Sequence, residues 1–112
     1  MTDLPADSWL TVPDLVELLD LTPSRVRRLI EDRALIAVRR DGVVSVPASF
    51  IKDGEPLTEL RGTVIVLSDN GFSDDEIVQW LLEENELLDV APIQALRAGR
   101  KAEVRRVAQA LA

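Results

Sequence analysis

The chain has 112 residues, 46% of them hydrophobic and 29% charged, with 13 Lys+Arg against 20 Asp+Glu and a formal net charge of −7. That length is one domain, or two very small ones sharing a core, and the composition is too apolar for a disordered chain. Cysteine and histidine are both absent, which excludes disulfides, thiol chemistry, Cys/His zinc sites and histidine acid–base catalysis; no cofactor and no metal site is expected, and an enzyme is not expected either.

No stretch reaches the ~18 apolar residues of a membrane span. The start, Met1-Thr2-Asp3-Leu4-Pro5, lacks the basic and apolar regions of a signal peptide. A cytoplasmic, nucleoid-associated protein is the expectation. Residues 1–8 read as a flexible N-terminus, 9–54 as a first module and 55–112 as a second. The charge is uneven. From Leu21 to Arg40 six arginines (Arg25, Arg27, Arg28, Arg33, Arg39, Arg40) face two acids, a balance of +4, so the rest of the chain carries −11.

Thr11-Val12-Pro13-Asp14 opens a helix, with Thr11 as N-cap and Asp14 an acid in the first turn. Val12, Leu15, Val16, Leu18 and Leu19 form its apolar stripe. Asp20-Leu21-Thr22 breaks it, and Thr22-Pro23 starts a second helix with proline at the first helical position. Val26, Leu29 and Ile30 are predicted to be its buried face. Ser24 and Arg28 then point away from the core, with Arg25 and Arg27 on the flanks. This is helix-turn-helix spacing. Next come Leu35–Arg40 and Val43–Val46, joined by Asp41-Gly42. Asp-Gly between β-branched runs predicts a hairpin with a type I′ turn, here with Arg39 and Arg40 beside its tip and Pro47 ending the second strand.

The stretch Leu10–Ile30 resembles the N-terminal DNA-binding motif of the MerR/excisionase type, and Ala34–Pro47 looks like that family's wing. Asp20 stands where that family commonly has a turn glycine. The resemblance implies a winged helix-turn-helix whose second helix enters the major groove.

In the second module, Leu57, Leu60, Val64 and Leu67 mark a helix, with Ile65 and Val66 predicting burial on more than one side. Asn70-Gly71 ends it. Ser73-Asp74-Asp75-Glu76 is a capping box, with Phe72 and Ile77 as a hydrophobic staple. The acids Asp74, Asp75 and Glu76 suit the positive end of a helix rather than a metal. Pro92 opens a short helix that Gly99 closes, and Lys101–Leu111 is a last helix on Val104, Val107, Ala108 and Leu111. Gly71–Leu81 and Ala91–Leu96 resemble the C-terminal half of small actinobacterial winged-helix DNA-binding proteins of mycobacterial type. More loosely, the same segment resembles the helical domain of Xre-type antitoxins.

The sequence therefore predicts a mostly α fold with a two-stranded β wing, that is, a winged helix-turn-helix plus a C-terminal helical bundle. The expected function is sequence-specific binding of double-stranded DNA by a small transcriptional regulator. Arg25 and Arg28 are candidates for base edges, because arginine pairs bidentately with guanine. Thr22 and Ser24 are candidates for phosphate at the helix N-terminus. Arg27 completes the helix group, and Arg39 and Arg40 are candidates for backbone or minor groove. The alternative is an antitoxin-like interaction module whose C-terminal helices grip a partner protein. No long heptad run follows Ile51, which predicts a monomer or a weak homodimer through the C-terminal helices.

Overall fold

Capping chemistry sets the helix boundaries of the first module. A computed structural model describes residues 8–111; the expected flexible N-terminus lies, but for Ser8, outside the described residues. Strand β1 (Trp9–Thr11) runs straight into helix α1 (Val12–Leu19). Thr11 closes the strand and caps the helix at once: its hydroxyl accepts from Asp14 N–H at 3.4 Å while its own N–H donates to the Asp14 carboxylate at 2.9 Å. Helix α2 (Pro23–Glu31) starts on Thr22, whose hydroxyl accepts from Arg25 N–H at 3.3 Å. Between them Asp20 takes the left-handed conformation at φ 57°, and Leu21 N–H returns to Val16 O. Aspartate tolerates that region, so the turn keeps a glycine-like path with no glycine.

Helix α2 ends in the same way. Arg33 sits at φ 65°, its N–H bonds to Ile30 O, and Ala34 N–H bonds to Leu29 O. These two bonds are the paired closure of a Schellman cap, a place usually held by glycine. The turn sends the chain back under α2, and Leu35 and Ile36 are both fully buried. Both belong to the core ahead of the ladder, and the first residue with a strand partner is Val38, opposite Ser45. Strand β2 is accordingly Val38–Arg40, shorter than the expected run from Leu35, and it pairs antiparallel with β3 (Val43–Pro47). Asp41 (φ 54°) and Gly42 (φ 81°) make the turn between them, both positive as type I′ requires.

The sheet has a third strand that the sequence did not announce. β1 lies on the other side of β3, with Trp9 opposite Pro47, Leu10 opposite Val46 and Thr11 opposite Ser45. Three residues are too few to show an alternation. A second Asp-Gly pair, Asp53 and Gly54, joins the two-residue strands β4 (Ile51–Lys52) and β5 (Glu55–Pro56). The junction of the two modules is thus a miniature hairpin.

Helix α3 (Leu60–Asp69) begins after Leu57, which is buried ahead of it. Ile65 is 41% exposed, so this helix buries one face and not several. Helix α4 (Asp74–Leu82) has the predicted capping box, Glu76 N–H to Ser73 Oγ and Ser73 N–H to the Glu76 carboxylate. Phe72 and Ile77 both join the core. Helices α5 (Pro92–Arg97) and α6 (Lys101–Gln109) complete the bundle, with Gly99 left-handed between them. Arg100 forks onto Glu103 at 3.0 and 3.1 Å, and that hydrogen bond holds the Glu103 carboxyl below its usual range.

The fold class is therefore the expected one, with a larger wing sheet. A single hydrophobic cluster runs from Leu15 through Val26, Val46 and Phe50 to Leu67, Leu81, Ile93 and Ala108, drawing on both modules. The backbone between the modules is also tied. The Arg97 guanidinium donates to Ser49 O at 2.9 Å and Ile51 O at 2.7 Å, and Lys52 Nζ donates to Arg97 O at 3.0 Å. Among the described residues, no helix is long and apolar enough to cross a membrane.

Candidate nucleic-acid interface

Helix α2 sorts its side chains by angle. Val26 is fully buried and Leu29 and Ile30 are half-buried, while Ser24, Arg25, Arg27 and Arg28 are exposed. Ser24, Arg25 and Arg28, at i, i+1 and i+4, share one side. Together with Leu21 and Leu29 they line an open concavity of about 500 Å³. The two leucines add apolar surface to it beside the two arginines. Arg27 is exposed but does not line this concavity, so the helix brings together three of its four candidates and leaves the fourth apart.

The two hydroxyls at the head of α2 are neighbours. Thr22 Oγ1 and Ser24 Oγ lie 3.3 Å apart, both exposed, at a helix end whose first N–H groups carry partial positive charge. Arg25 makes no side-chain hydrogen bond or ion pair among the described residues. Arg28 approaches Asp32 at 4.0 Å, with the two side chains 79% and 58% exposed. A pair so open to water holds little energy, so the Arg28 guanidinium remains available to an incoming anion or base edge.

The two wing arginines are not equivalent. Arg39 is exposed and its Nη1 donates to Gly42 O at 3.2 Å, bracing the hairpin turn. Arg40 is half-buried, with its guanidinium carbon 4.3 Å from the centre of the Trp9 ring. A cation over an indole face is attracted by the ring quadrupole. Arg40 therefore ties β2 to β1 across the sheet. Val43, just past the turn, is 48% exposed. Sequence reasoning missed Leu21, Trp9 and Val43 here. The apolar period assigned Leu29 wholly to the core, and a lone tryptophan at a module edge gives no signal of what stacks on it.

This asymmetry makes the wing testable one residue at a time. Arg39→Ala is expected to weaken binding to every duplex and to lower the log–log salt slope by about 0.9, the value of one phosphate contact. Arg40→Ala is expected to loosen β1 as well, and so to lower the melting temperature more than Arg39→Ala does. A parental slope in Arg39→Ala, titrated across a salt series, would remove the hairpin from the interface.

Among the described residues no group of three or more acids is placed to hold a metal ion. Asp74, Asp75 and Glu76 occupy the first turn of α4, where Glu76 closes the capping box and Asp74 pairs with Arg33 at 2.8 Å.

Comparison with known proteins places both halves in one family. A family model described as the wHTH domain of DNA-binding protein Rv2175c matches residues 2–51, and one described as the Rv2175c C-terminal domain of unknown function matches residues 57–112. The DNA-binding protein Rv2175c of Mycobacterium tuberculosis (strain ATCC 25618 / H37Rv) is 32% identical over 121 residues, which cover 96% of this chain and 83% of that protein. The NMR structure of Rv2175c superposes with a TM-score of 0.87 at 32% identity, over 100% of this chain and 85% of the other. With both modules matched, in order and over nearly all of its length, the chain belongs to the Rv2175c family of winged helix-turn-helix proteins.

Proposed function

We propose that this chain is a sequence-specific DNA-binding protein, a small transcriptional regulator of MerR/excisionase type acting at the nucleoid. The observation that carries the reading is the exposed concave side of α2, where Ser24, Arg25 and Arg28 stand together behind a capped helix N-terminus. In this reading α2 lies in the major groove. Arg25 and Arg28 take guanine edges. Thr22, Ser24 and the helix N-terminus hold a phosphate. Arg27 and Arg39 meet the flanking backbone, and Arg40 supports the wing and adds its charge to it. The acidic remainder repels DNA elsewhere and keeps non-specific affinity low. We assign the DNA contacts to residues 9–54 and a supporting role to 55–112. The relative's name and the wHTH family model support DNA as partner and do not favour an antitoxin-like adaptor. Selection from random duplex DNA at a stated salt concentration tests this. An enriched motif is expected; no enrichment and no retention would overturn it.

We further propose that the protein is a monomer in solution, or a weak dimer through its C-terminal helices. Leu87, 75% exposed, Val107 and Ala110 border a shallow apolar concavity there, and Leu111 is 43% exposed. Sedimentation at nanomolar concentration is expected to show monomer. A tight dimer would instead call for half-sites about one helical turn apart.

A further inference from the structure

Helix α4 touches the first module in two places. At its first residue, Asp74 Oδ1 accepts from Arg33 Nη1 at 2.8 Å, and Arg33 Nη2 donates to Ser68 Oγ in α3 at 3.4 Å. Arg33 is the left-handed residue that ends α2. Glycine fills the corresponding position at the ends of α3 and α5, as Gly71 and Gly99. An arginine in that conformation is uncommon, because only Gly, Asn and Asp enter it readily. Here the turn carries the guanidinium across to two helices of the other module, which a glycine cannot do. Further along, the body of α4 packs on the wing: Val78 and Leu82 face Val38 and Arg40 across a shallow groove of about 240 Å³. One nine-residue helix thus meets both the end of the helix that carries Arg25 and Arg28 and the strand that leads into the wing turn.

We propose that the C-terminal module serves as a gauge for DNA recognition: α4 fixes the angle and spacing between α2 and the β2–β3 hairpin, with Arg33 as its positioning residue. This rests on the DNA-binding reading above. Base-edge contacts demand that α2 and the wing engage one duplex together in a single geometry. Attraction to phosphates tolerates displacement. Releasing the latch therefore lowers selectivity and spares general affinity.

Two variants open the latch from opposite sides. Arg33→Gly keeps the left-handed cap, since glycine adopts it freely, and removes only the side chain. Asp74→Asn keeps the start of α4 and removes the charge. Each is compared with the parent in its affinity for the selected site and for a scrambled duplex, in salt slope and in thermal melt. The ratio of the two affinities is expected to fall roughly three- to fivefold in either variant, the scale that an exposed ion pair supports. Scrambled-duplex affinity and salt slope stay parental, the double variant is no worse than either single one, and Arg33→Lys restores part of the ratio. An unchanged ratio in both single variants overturns the proposal. So does an equal loss on both duplexes with a lowered melt, which would make the contact one of folding alone. A parent with no preferred sequence would remove the sequence-specific reading on which the gauge rests, whereas a selective parent with indifferent variants removes only the gauge.

Discussion

Phe50→Ala is expected to lower stability by about 3–5 kcal/mol, the usual cost of emptying a fully buried aromatic site. Phe50 has no exposed surface and ends the 3₁₀ turn that joins the wing to the second module. Its carbonyl accepts from Leu57 N–H at 2.9 Å, and the carbonyls on either side, of Ser49 and Ile51, take the Arg97 guanidinium. The ring thus stands where the two modules share one hydrophobic cluster. A domain of this size is stable by only about 5–15 kcal/mol in total. At 4 °C or more per kcal/mol, the melting temperature should fall by at least about 12 °C. Because the cluster is continuous, the melt should remain a single transition followed identically by far-ultraviolet circular dichroism and tryptophan fluorescence, since Trp9 and Trp80 lie in different modules. Two separate transitions would show that the halves fold independently, and a shift of only a few degrees would show that the junction is not part of the common core.

What the sequence made legible follows from how local each signal is. Thr11 with Asp14, Thr22 before Pro23 and Ser73 with Glu76 are signals within three residues or fewer, and the structure has all three caps. Asp41-Gly42 carries its turn type in two residues, and it is there. The features that stayed hidden depend on partners distant in the chain. β1 exists because Trp9–Thr11 finds β3 more than thirty residues later. Leu35 and Ile36 looked like the start of a strand because β-branched and aliphatic runs read alike in a strand and in a buried crossing. Arg33 appeared as one charge among six, and neither its left-handed backbone nor its reach to Asp74 has a signature in the neighbouring residues. At the candidate interface, the exposure of Ser24, Arg25 and Arg28 follows from helical angle alone. Their grouping around Leu21 and Leu29, and the stacking of Arg40 on Trp9, follow from packing.

Arg28→Ala and Arg25→Ala are each expected to cost roughly 1–3 kcal/mol of binding to the selected site, up to about a hundredfold in affinity, and to relax preference at one base position. Both side chains project from an exposed helix face. Arg25 has no internal partner among the described residues, and Arg28 has only an open 4.0 Å approach to Asp32. Their truncation should change stability by no more than ~0.5 kcal/mol. The two effects therefore separate: parental melts with weakened selective binding. Arg27→Ala, outside the concavity, should lower affinity for selected and scrambled duplexes alike. Leu29→Ala is a poor control for folding, because Leu29 is only half-buried and also lines the concavity with both arginines, so its loss mixes core and surface. Val26, fully buried on the same helix, is the proper one: Val26→Ala should lower the melt and lose binding only in proportion to the unfolded fraction. The measurement is a melt of each variant beside its affinity for both duplexes. If Arg25→Ala and Arg28→Ala melt normally and hold the selected site with parental affinity, the concavity of α2 does not read bases. The exposed Leu87, in the turn between α4 and α5 and beside Val107 of α6, would then mark the next surface to test for a partner.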